Sequence, residues 1–185
     1  MSPQAVKIDP KDVQKLRAET GAGVMDCKRA LEEATGDLAR ARDILRQRGL
    51  AAAAKRATRE TREGVVESYI HAGGRIGALV ELTSETDFVA RNPEFRELAK
   101  NIAMQIAAMS PLVVSEEDLS AEERAELVNE HGDERRALEA AVLLRQPYIR
   151  DGSKTVSDLV SAIAASTGEN VRIRRFARFQ LGTSS

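Results

Sequence analysis

The spacing of apolar residues changes at Gly64, and this change limits the folds that the chain can adopt. Before Gly64 the apolar residues recur every three or four positions, which is typical of helices. After it, Ile76, Ala78, Val80 and Leu82 alternate strictly with other residues, as on a strand with one buried face. A helical first part followed by a sheet indicates an α+β protein.

The alternation belongs to a predicted β-hairpin. Val66, Ser68 and Ile70 share one face of a first strand, and Gly73-Gly74 provides a tight turn before the second strand. A third strand is predicted at the end of the chain. Its buried face is predicted to carry Val171, Ile173, Arg175, Ala177, Phe179 and Leu181, and its outer face the basic residues Arg172, Arg174 and Arg178. We therefore expect a three-stranded antiparallel sheet with helices packed on one side.

The first fifty residues predict three short helices. Asp9-Pro10 supplies a cap and a proline for the first helix, and Gly21-Ala22-Gly23 ends it. The second helix begins near Met25, and Asp37 caps a third helix that is predicted to stop at Gly49. We expect a small three-helix module at residues 1–50, a basic helical linker at 51–63 and an α+β core, also the dimerisation domain, at 64–185.

Four helices are predicted inside the core. One begins at Asn92-Pro93, and its buried stripe consists of Phe95, Leu98, Ile102, Ile106 and Met109. Capping boxes at Ser120/Glu123 and Thr155/Asp158 begin two others, which end at Gly132 and Gly168. Between these two lies a helix that holds Leu138, Val142 and Leu144 and stops before Pro147.

The charge of the chain argues against a protein that coats nucleic acid. The formal net charge is −1, although residues 40–62 hold eight Lys/Arg against two acids, and residues 116–136 hold nine acids against three Arg. Two solvated helix faces of opposite charge would explain this uneven distribution of charged residues. A basic stripe that binds RNA is the more specific alternative. The expectation is that no nucleic acid is bound directly.

The scarcity of cysteine, histidine and long apolar runs limits both the cellular compartment and the chemistry that we expect for this protein. A lone Cys27 cannot form an internal disulfide, residues 1–4 lack the features of a secretory signal, and no apolar run approaches the roughly 20 residues that span a bilayer. We expect a cytoplasmic protein without membrane contact. His71 and His131 stand far apart without paired carboxylates, so we expect no catalytic residue, metal ligand or cofactor, and Cys27 is interpreted as a buried filler.

The connection between the hairpin and the helix that begins at Asn92 has an unusual composition. It places Phe88, one of only six aromatic residues, directly after Asp87. Phe88 or Val89 could pack under the next helix as a hydrophobic staple. Alternatively, an exposed aromatic beside a charge on a rigid corner has the composition of an interface hot spot. The residues alone leave both interpretations open.

Three stretches resemble the bacterial translation elongation factor Ts family and together span most of the chain in the family's order. They are LRAETGAGVMDCKRAL at residues 16–31 followed by Gly36-Asp37, TDFVARN at 86–92, and QPY at 146–148 with SKTV at 153–156 and the final strand. The first two are highly specific.

The resemblance implies a guanine-nucleotide exchange factor, not an enzyme, that binds elongation factor Tu with GDP and promotes GDP release so that GTP can bind. Carried over to this sequence, Thr86, Asp87, Phe88 and Val89 form the motif that intrudes into the partner. Phe88 would be the wedge, and Asp87 would disturb the Mg²⁺ side of the nucleotide site. The N-terminal module would touch the same partner domain through residues that match at Arg17, Val24 and Met25, with Val24 standing where some relatives have Met.

The resemblance also implies a short form with a single core, which in some relatives acts as a homodimer. A covalent link near the C-terminus is not expected, because no Cys follows Cys27. Three alternative functions stand beside this one. They are an adaptor that uses the three helices as a ubiquitin-associated-like module, a ribosome or RNA binder that uses the basic segments, and an enzyme with an unrecognised site.

Overall fold

A computed structural model describes residues 8–182 of the chain, which fall into two compact units. The first unit comprises residues up to Lys55, and the second comprises residues from Arg56 onwards. Residues 1–4, on which the prediction of a missing secretory signal depended, lie outside the described range. Within that range no helix combines the length and the apolar character needed to cross a membrane.

The first unit is built from the three predicted helices, α1 (Pro10–Thr20), α2 (Val24–Glu33) and α3 (Leu38–Ala57), and the last two residues of α3 lie beyond the boundary at Lys55. The Asp9 side chain accepts the backbone N–H of Lys11 at 2.9 Å, and Gly21 ends α1 with a φ of 67°, which glycine adopts without strain. Its buried apolar core consists of Leu16, Cys27, Ala30, Leu31, Ala34, Ala41 and Leu45.

The predicted stop of the third helix at Gly49 is wrong, because α3 continues to Ala57. A glycine inside a helix costs only about 1 kcal/mol relative to alanine. The alanine run that follows, residues 51–54, has the highest helix propensity of any residue type and carries the helix onwards.

The second unit is an α+β fold. Its strands and helices are β1 (Glu63–Ile70), β2 (Ile76–Ser84), α4 (Asp87–Ala90), α5 (Pro93–Met109), α6 (Ala121–His131), α7 (Glu134–Ala141), β3 (Pro147–Tyr148), β4 (Asp151–Thr155), α8 (Val156–Thr167) and β5 (Arg172–Gln180). The three long strands form the predicted antiparallel sheet in the order β1-β2-β5. The one-turn helix α4 and the small sheet β3-β4 were not predicted.

One face of the three-stranded sheet forms the core. The inner residues Ala78, Val80 and Leu82 of β2 pack in one cluster with α5, whose buried positions include Phe95, Leu98, Ile102 and Ile106. The predicted place of Met109 in this stripe is wrong, because 43% of its surface is exposed. Met109 is the last residue of α5, and Ser110 turns the chain away with a φ of 51°.

The predicted helix boundaries in the second unit are confirmed except one. Asn92 caps α5, and both capping boxes are formed, with Gly132 and Gly168 ending α6 and α8. The helix before Pro147 is shorter than predicted. It ends at Ala141, since Val142 is extended and Leu144 lies in a separate 3₁₀ turn (Leu143–Arg145).

The prediction for the final strand is wrong in its second half. Arg175 pairs with Glu81 and Ile173 pairs with Leu82, so Arg174 is an extra residue in a β-bulge. An extra residue exchanges the two faces of the strand beyond it. Arg175, Ala177 and Phe179 consequently lie on the exposed side, whereas Phe176 and Arg178, in register with Val80 and Ala78, turn towards the helices.

Gly64 permits a close backbone approach at the start of the sheet. It pairs with Thr83 and has a φ of 154°. A Cβ atom at this position would lie 2.2 Å from the backbone oxygen of Leu82 and 2.8 Å from Cα of Thr83. Both atoms belong to the buried central strand, so neither can move away cheaply.

We expect Gly64→Ala to lower the free energy of unfolding by about 1–3 kcal/mol, the range for a strained backbone position. Urea denaturation followed by circular dichroism measures the change. Gly152→Ala is the matched control, because a Cβ there meets no atom within 4 Å, and its effect should stay within about 0.5 kcal/mol. Equal stability of the two variants would contradict the argument.

Candidate partner-binding site

The segment Thr86 to Val89 forms a corner between the central strand and the α5 helix. Strand β2 ends at Ser84, and α4 begins at Asp87. Within α4, Val89 and Ala90 are buried in the core cluster, while 83% of the surface of Phe88 is exposed. The sequence left two interpretations open, and each applies to a different residue. Val89 packs in the core, and Phe88 is the exposed aromatic.

Asp87 lies beside Phe88 and is also accessible. Its carboxylate forms an ion pair with Arg91, with 3.0 Å between Oδ2 and a terminal guanidinium nitrogen. The Asp87 side chain is 47% exposed and that of Arg91 is 77% exposed, so water competes with the pair. The corner therefore presents an aromatic ring and a weakly held carboxylate to any molecule that binds there.

Hydrogen bonds from three directions hold the backbone of the corner. The buried Ser84 hydroxyl donates to the carbonyl oxygen of Thr86 at 3.0 Å. The Glu169 carboxylate accepts the backbone N–H groups of Glu85 and Thr86 at 3.1 and 3.0 Å, and the Thr86 hydroxyl at 2.6 Å. The Glu85 carboxylate in turn accepts the backbone N–H of Asn170 at 2.6 Å.

Sequence reasoning missed Glu85, Glu169 and Asn170 as part of this site. The only local signal was Gly168, which ends α8 and releases the chain immediately before Glu169. Glu169 stands 83 positions from Thr86, and no spacing rule connects residues that far apart.

The other predicted site residues lie in the first unit. Arg17 is exposed on α1, and Val24 and Met25 begin α2 with 48% and 62% of their surfaces exposed. Farther along α2 the residues Cys27, Ala30 and Leu31 are fully buried, which fixes the orientation of the helix. Arg17, Val24 and Met25 thus belong to the first unit, and Thr86–Val89 belongs to the second.

Cys27 and His71 have local contacts within the protein. Cys27 is buried, as predicted, and the ring Nδ1 of His71 lies 3.2 Å from the Tyr69 hydroxyl. His131 is the last residue of α6. Among residues 8–182 there is no cluster of three or more His, Cys, Asp or Glu that could hold a metal ion.

The basic residues of β5 are largely engaged within the protein. The guanidinium groups of Arg174 and Arg175 lie 3.6 and 2.6 Å from the carboxylate of Glu81. Nε of Arg178 donates to the backbone carbonyl of Ala107 at 3.1 Å. The strand nevertheless stays net positive, because a single carboxylate faces two of its guanidinium groups and the Ala107 carbonyl is neutral.

Comparison with known proteins shows the family. The family model for elongation factor TS matches residues 4–131. An elongation factor Ts of Caldanaerobacter subterraneus is 50% identical, over 95% of this chain and 97% of its own length. Those of Desulforamulus reducens and Thermotoga maritima are 49% and 46% identical, over 95% and 92% of this chain and 90% and 94% of theirs. The resemblance found in the sequence is confirmed: the chain belongs to the elongation factor Ts family.

Proposed function

We propose that this protein is a guanine-nucleotide exchange factor for elongation factor Tu. It binds the GDP form of the partner and accelerates GDP release, so that GTP can bind during polypeptide elongation in the cytoplasm. No covalent bond is made or broken by the factor. Family membership supports the partner, and the observation that carries the mechanism is the exposed Phe88 on a rigid corner.

The work of such a factor is a coupling free energy between two ligands of one GTPase. A protein that weakens nucleotide binding to the GTPase is itself bound more weakly when nucleotide is present. The two affinities fall by the same ratio. GTPases hold the phosphates with backbone N–H groups and Mg²⁺, so a small displacement of these groups lowers nucleotide affinity strongly. Each tenfold loss corresponds to about 1.4 kcal/mol.

Phe88 is suited to act as the wedge. Burying a Phe side chain contributes roughly 1.5–3 kcal/mol, and 83% of this ring is still available for burial by a partner. Because Val89 and Ala90 are packed in the core, the backbone under Phe88 is already ordered, and little entropy is lost on insertion.

Asp87 is suited to act on the Mg²⁺ side of the nucleotide site. Its exposed ion pair with Arg91 contributes about 0–1 kcal/mol, so the carboxylate can leave it at little cost. Thr86 and Val89 complete the motif by tying the corner to Glu169 and to the core.

We expect Phe88→Ala to reduce the stimulated release of labelled GDP from elongation factor Tu by roughly 30-fold, the loss of a hot spot of about 2 kcal/mol. The variant should keep its thermal stability, because the ring has almost no contacts within the protein. Leu112→Ala is the control, since it removes another exposed apolar side chain (64%) outside the corner. Absence of stimulation by the intact protein would refute the proposed function, and undiminished stimulation by Phe88→Ala would refute the wedge.

The first unit is proposed to bind the same partner through Arg17, Val24 and Met25. Val24 and Met25 project adjacent apolar side chains from the first turn of α2, and Arg17 adds a positive charge on α1. Met and Arg are both enriched at protein interfaces relative to the rest of the surface.

Met25→Ala should raise the concentration of factor that gives half-maximal GDP release about fivefold, through lost burial of the side chain. The maximal rate should change little, because the wedge is intact. Titration of the factor against a fixed amount of elongation factor Tu with labelled GDP separates the two quantities. A lower maximal rate at unchanged half-saturation would place Met25 in the exchange step instead.

We further propose that the factor forms a non-covalent homodimer through the outer face of the sheet. This face is apolar: Ile70 and Phe179 flank Gly77, Leu79 lies beside Ala177, and Ile70 and Phe179 are about two-thirds exposed. At the end of the face near Val66, Glu81 offsets part of the charge of Arg174 and Arg175. The apolar end of the face, around Ile70 and Phe179, is the part that would meet a copy of itself.

Phe179→Asp should convert the protein to a monomer in sedimentation velocity, because a symmetric interface would bury two unpaired carboxylates. Leu112→Asp introduces the same charge at an exposed position off the sheet and should leave the dimer intact. A monomeric wild-type protein at working concentration would contradict the proposal.

A further inference from the structure

The direction in which Phe88 points depends on the backbone that precedes it. The Phe88 ring is almost fully exposed, so packing does not fix its position. The last residue pair of the β1-β2 ladder is Glu63 with Ser84, and α4 begins at Asp87. Glu85 and Thr86 therefore lie beyond the sheet ladder, and their N–H groups need another acceptor.

Glu169 supplies that acceptor. Its Oε2 atom receives both N–H groups, at 3.1 Å from Glu85 and 3.0 Å from Thr86, while Oε1 receives the Thr86 hydroxyl at 2.6 Å. Thr86 occupies the N-cap position of α4, yet its side chain makes no capping bond within the helix. The hydroxyl that ordinarily caps a helix thus binds this carboxylate instead.

Glu169 is itself held in place by reciprocal bonds. The neighbouring Asn170 donates its backbone N–H to the Glu85 carboxylate, and its side-chain amide donates to the carbonyl oxygen of Arg59 at 2.8 Å. Asn170 is 6% exposed, and the Arg59 guanidinium lies 3.2 Å from the same Glu85 carboxylate. The Glu169 carboxylate therefore binds the backbone of Glu85, and the Glu85 carboxylate binds the backbone of Asn170, next to Glu169. Arg59 offsets part of the negative charge of the two carboxylates.

We infer that Glu169 is a positioning residue for nucleotide exchange: its carboxylate fixes the backbone of Glu85 and Thr86, and this fixes the direction of the Phe88 side chain. The inference rests on the proposed function. It assigns to Glu169 an effect on partner binding that acts entirely through the corner, since Glu169 lies outside the motif that enters the partner. Charge-assisted bonds to a carboxylate are the stronger kind, so three of them on two adjacent residues restrain the corner tightly.

The first test measures the restraint directly, without the partner. Backbone amide hydrogen exchange by NMR should be about tenfold faster at Glu85 and Thr86 in Glu169→Gln, because a neutral Gln oxygen accepts the two N–H groups only about half as strongly as a carboxylate does. Glu130→Gln, an exposed carboxylate on α6, is the control and should leave both amides unchanged. Glu169→Asp keeps the charge but withdraws the oxygens by one methylene, and it should also speed exchange. Unchanged protection in both Glu169 variants would overturn the inference.

The second test asks whether Glu169 acts through Phe88. Glu169→Gln should lower stimulated GDP release from elongation factor Tu about tenfold, the factor that corresponds to one charge-assisted hydrogen bond. In a Phe88→Ala background the same change should have less than about a twofold further effect, because the residue that it positions is absent. A general structural defect would lower release equally in both backgrounds, and that outcome would overturn the inference.

The two proposals fail in different ways. If the wild-type protein did not stimulate GDP release, the proposed function would be refuted, and the amide protection of Glu85 and Thr86 would still decide whether Glu169 restrains the corner. If the wild-type protein stimulated release and Glu169→Gln did so equally well, the exchange function would stand and the positioning role would be refuted.

Discussion

Strand β2 is the element on which the rest of the second unit depends. It is hydrogen-bonded to β1 along one edge and to β5 along the other, and its inner side chains Ala78, Val80 and Leu82 lie at the centre of the core. A strand paired on both edges and covered by helices cannot shift without breaking two ladders at once. Its last residue, Ser84, is fully buried, and the exposed corner therefore begins at one of the most restrained positions in the protein.

Because the backbone of the corner is restrained, the neighbouring side chains of Phe88 and Val89 point in different directions. Successive residues of a helical turn point in directions about 100° apart, so burial of Val89 and Ala90 leaves Phe88 directed to solvent. The Ser84 hydroxyl and the Glu169 carboxylate hold the backbone immediately before this turn. Single exposed apolar side chains are common on protein surfaces, and this one lies on an ordered support.

Much of the secondary structure could be predicted from the sequence because its signals are local. Asn92, Ser120 and Thr155 each cap the helix that follows them through bonds across three residues or fewer. The alternation in β2 likewise needs only neighbouring positions. The bulge at Arg174 could not be predicted, because it is set by pairing with Glu81 and Leu82, more than ninety positions earlier in the chain. The length of α3 was mispredicted for a different, local reason, because an alanine run outweighed a glycine.

The sequence by itself determined the family, the three-helix first unit, the hairpin and the identity of the motif from Thr86 to Val89. These follow from short stretches whose meaning does not depend on distant residues. Tertiary structure alone decided which residue of the motif is exposed and which carboxylate holds it. Both outcomes depend on contacts between residues far apart in the chain: Val89 with the core built on β2, and Thr86 with Glu169 across 83 positions. Such contacts arise when separate elements fold against each other, and no periodicity or capping rule encodes them.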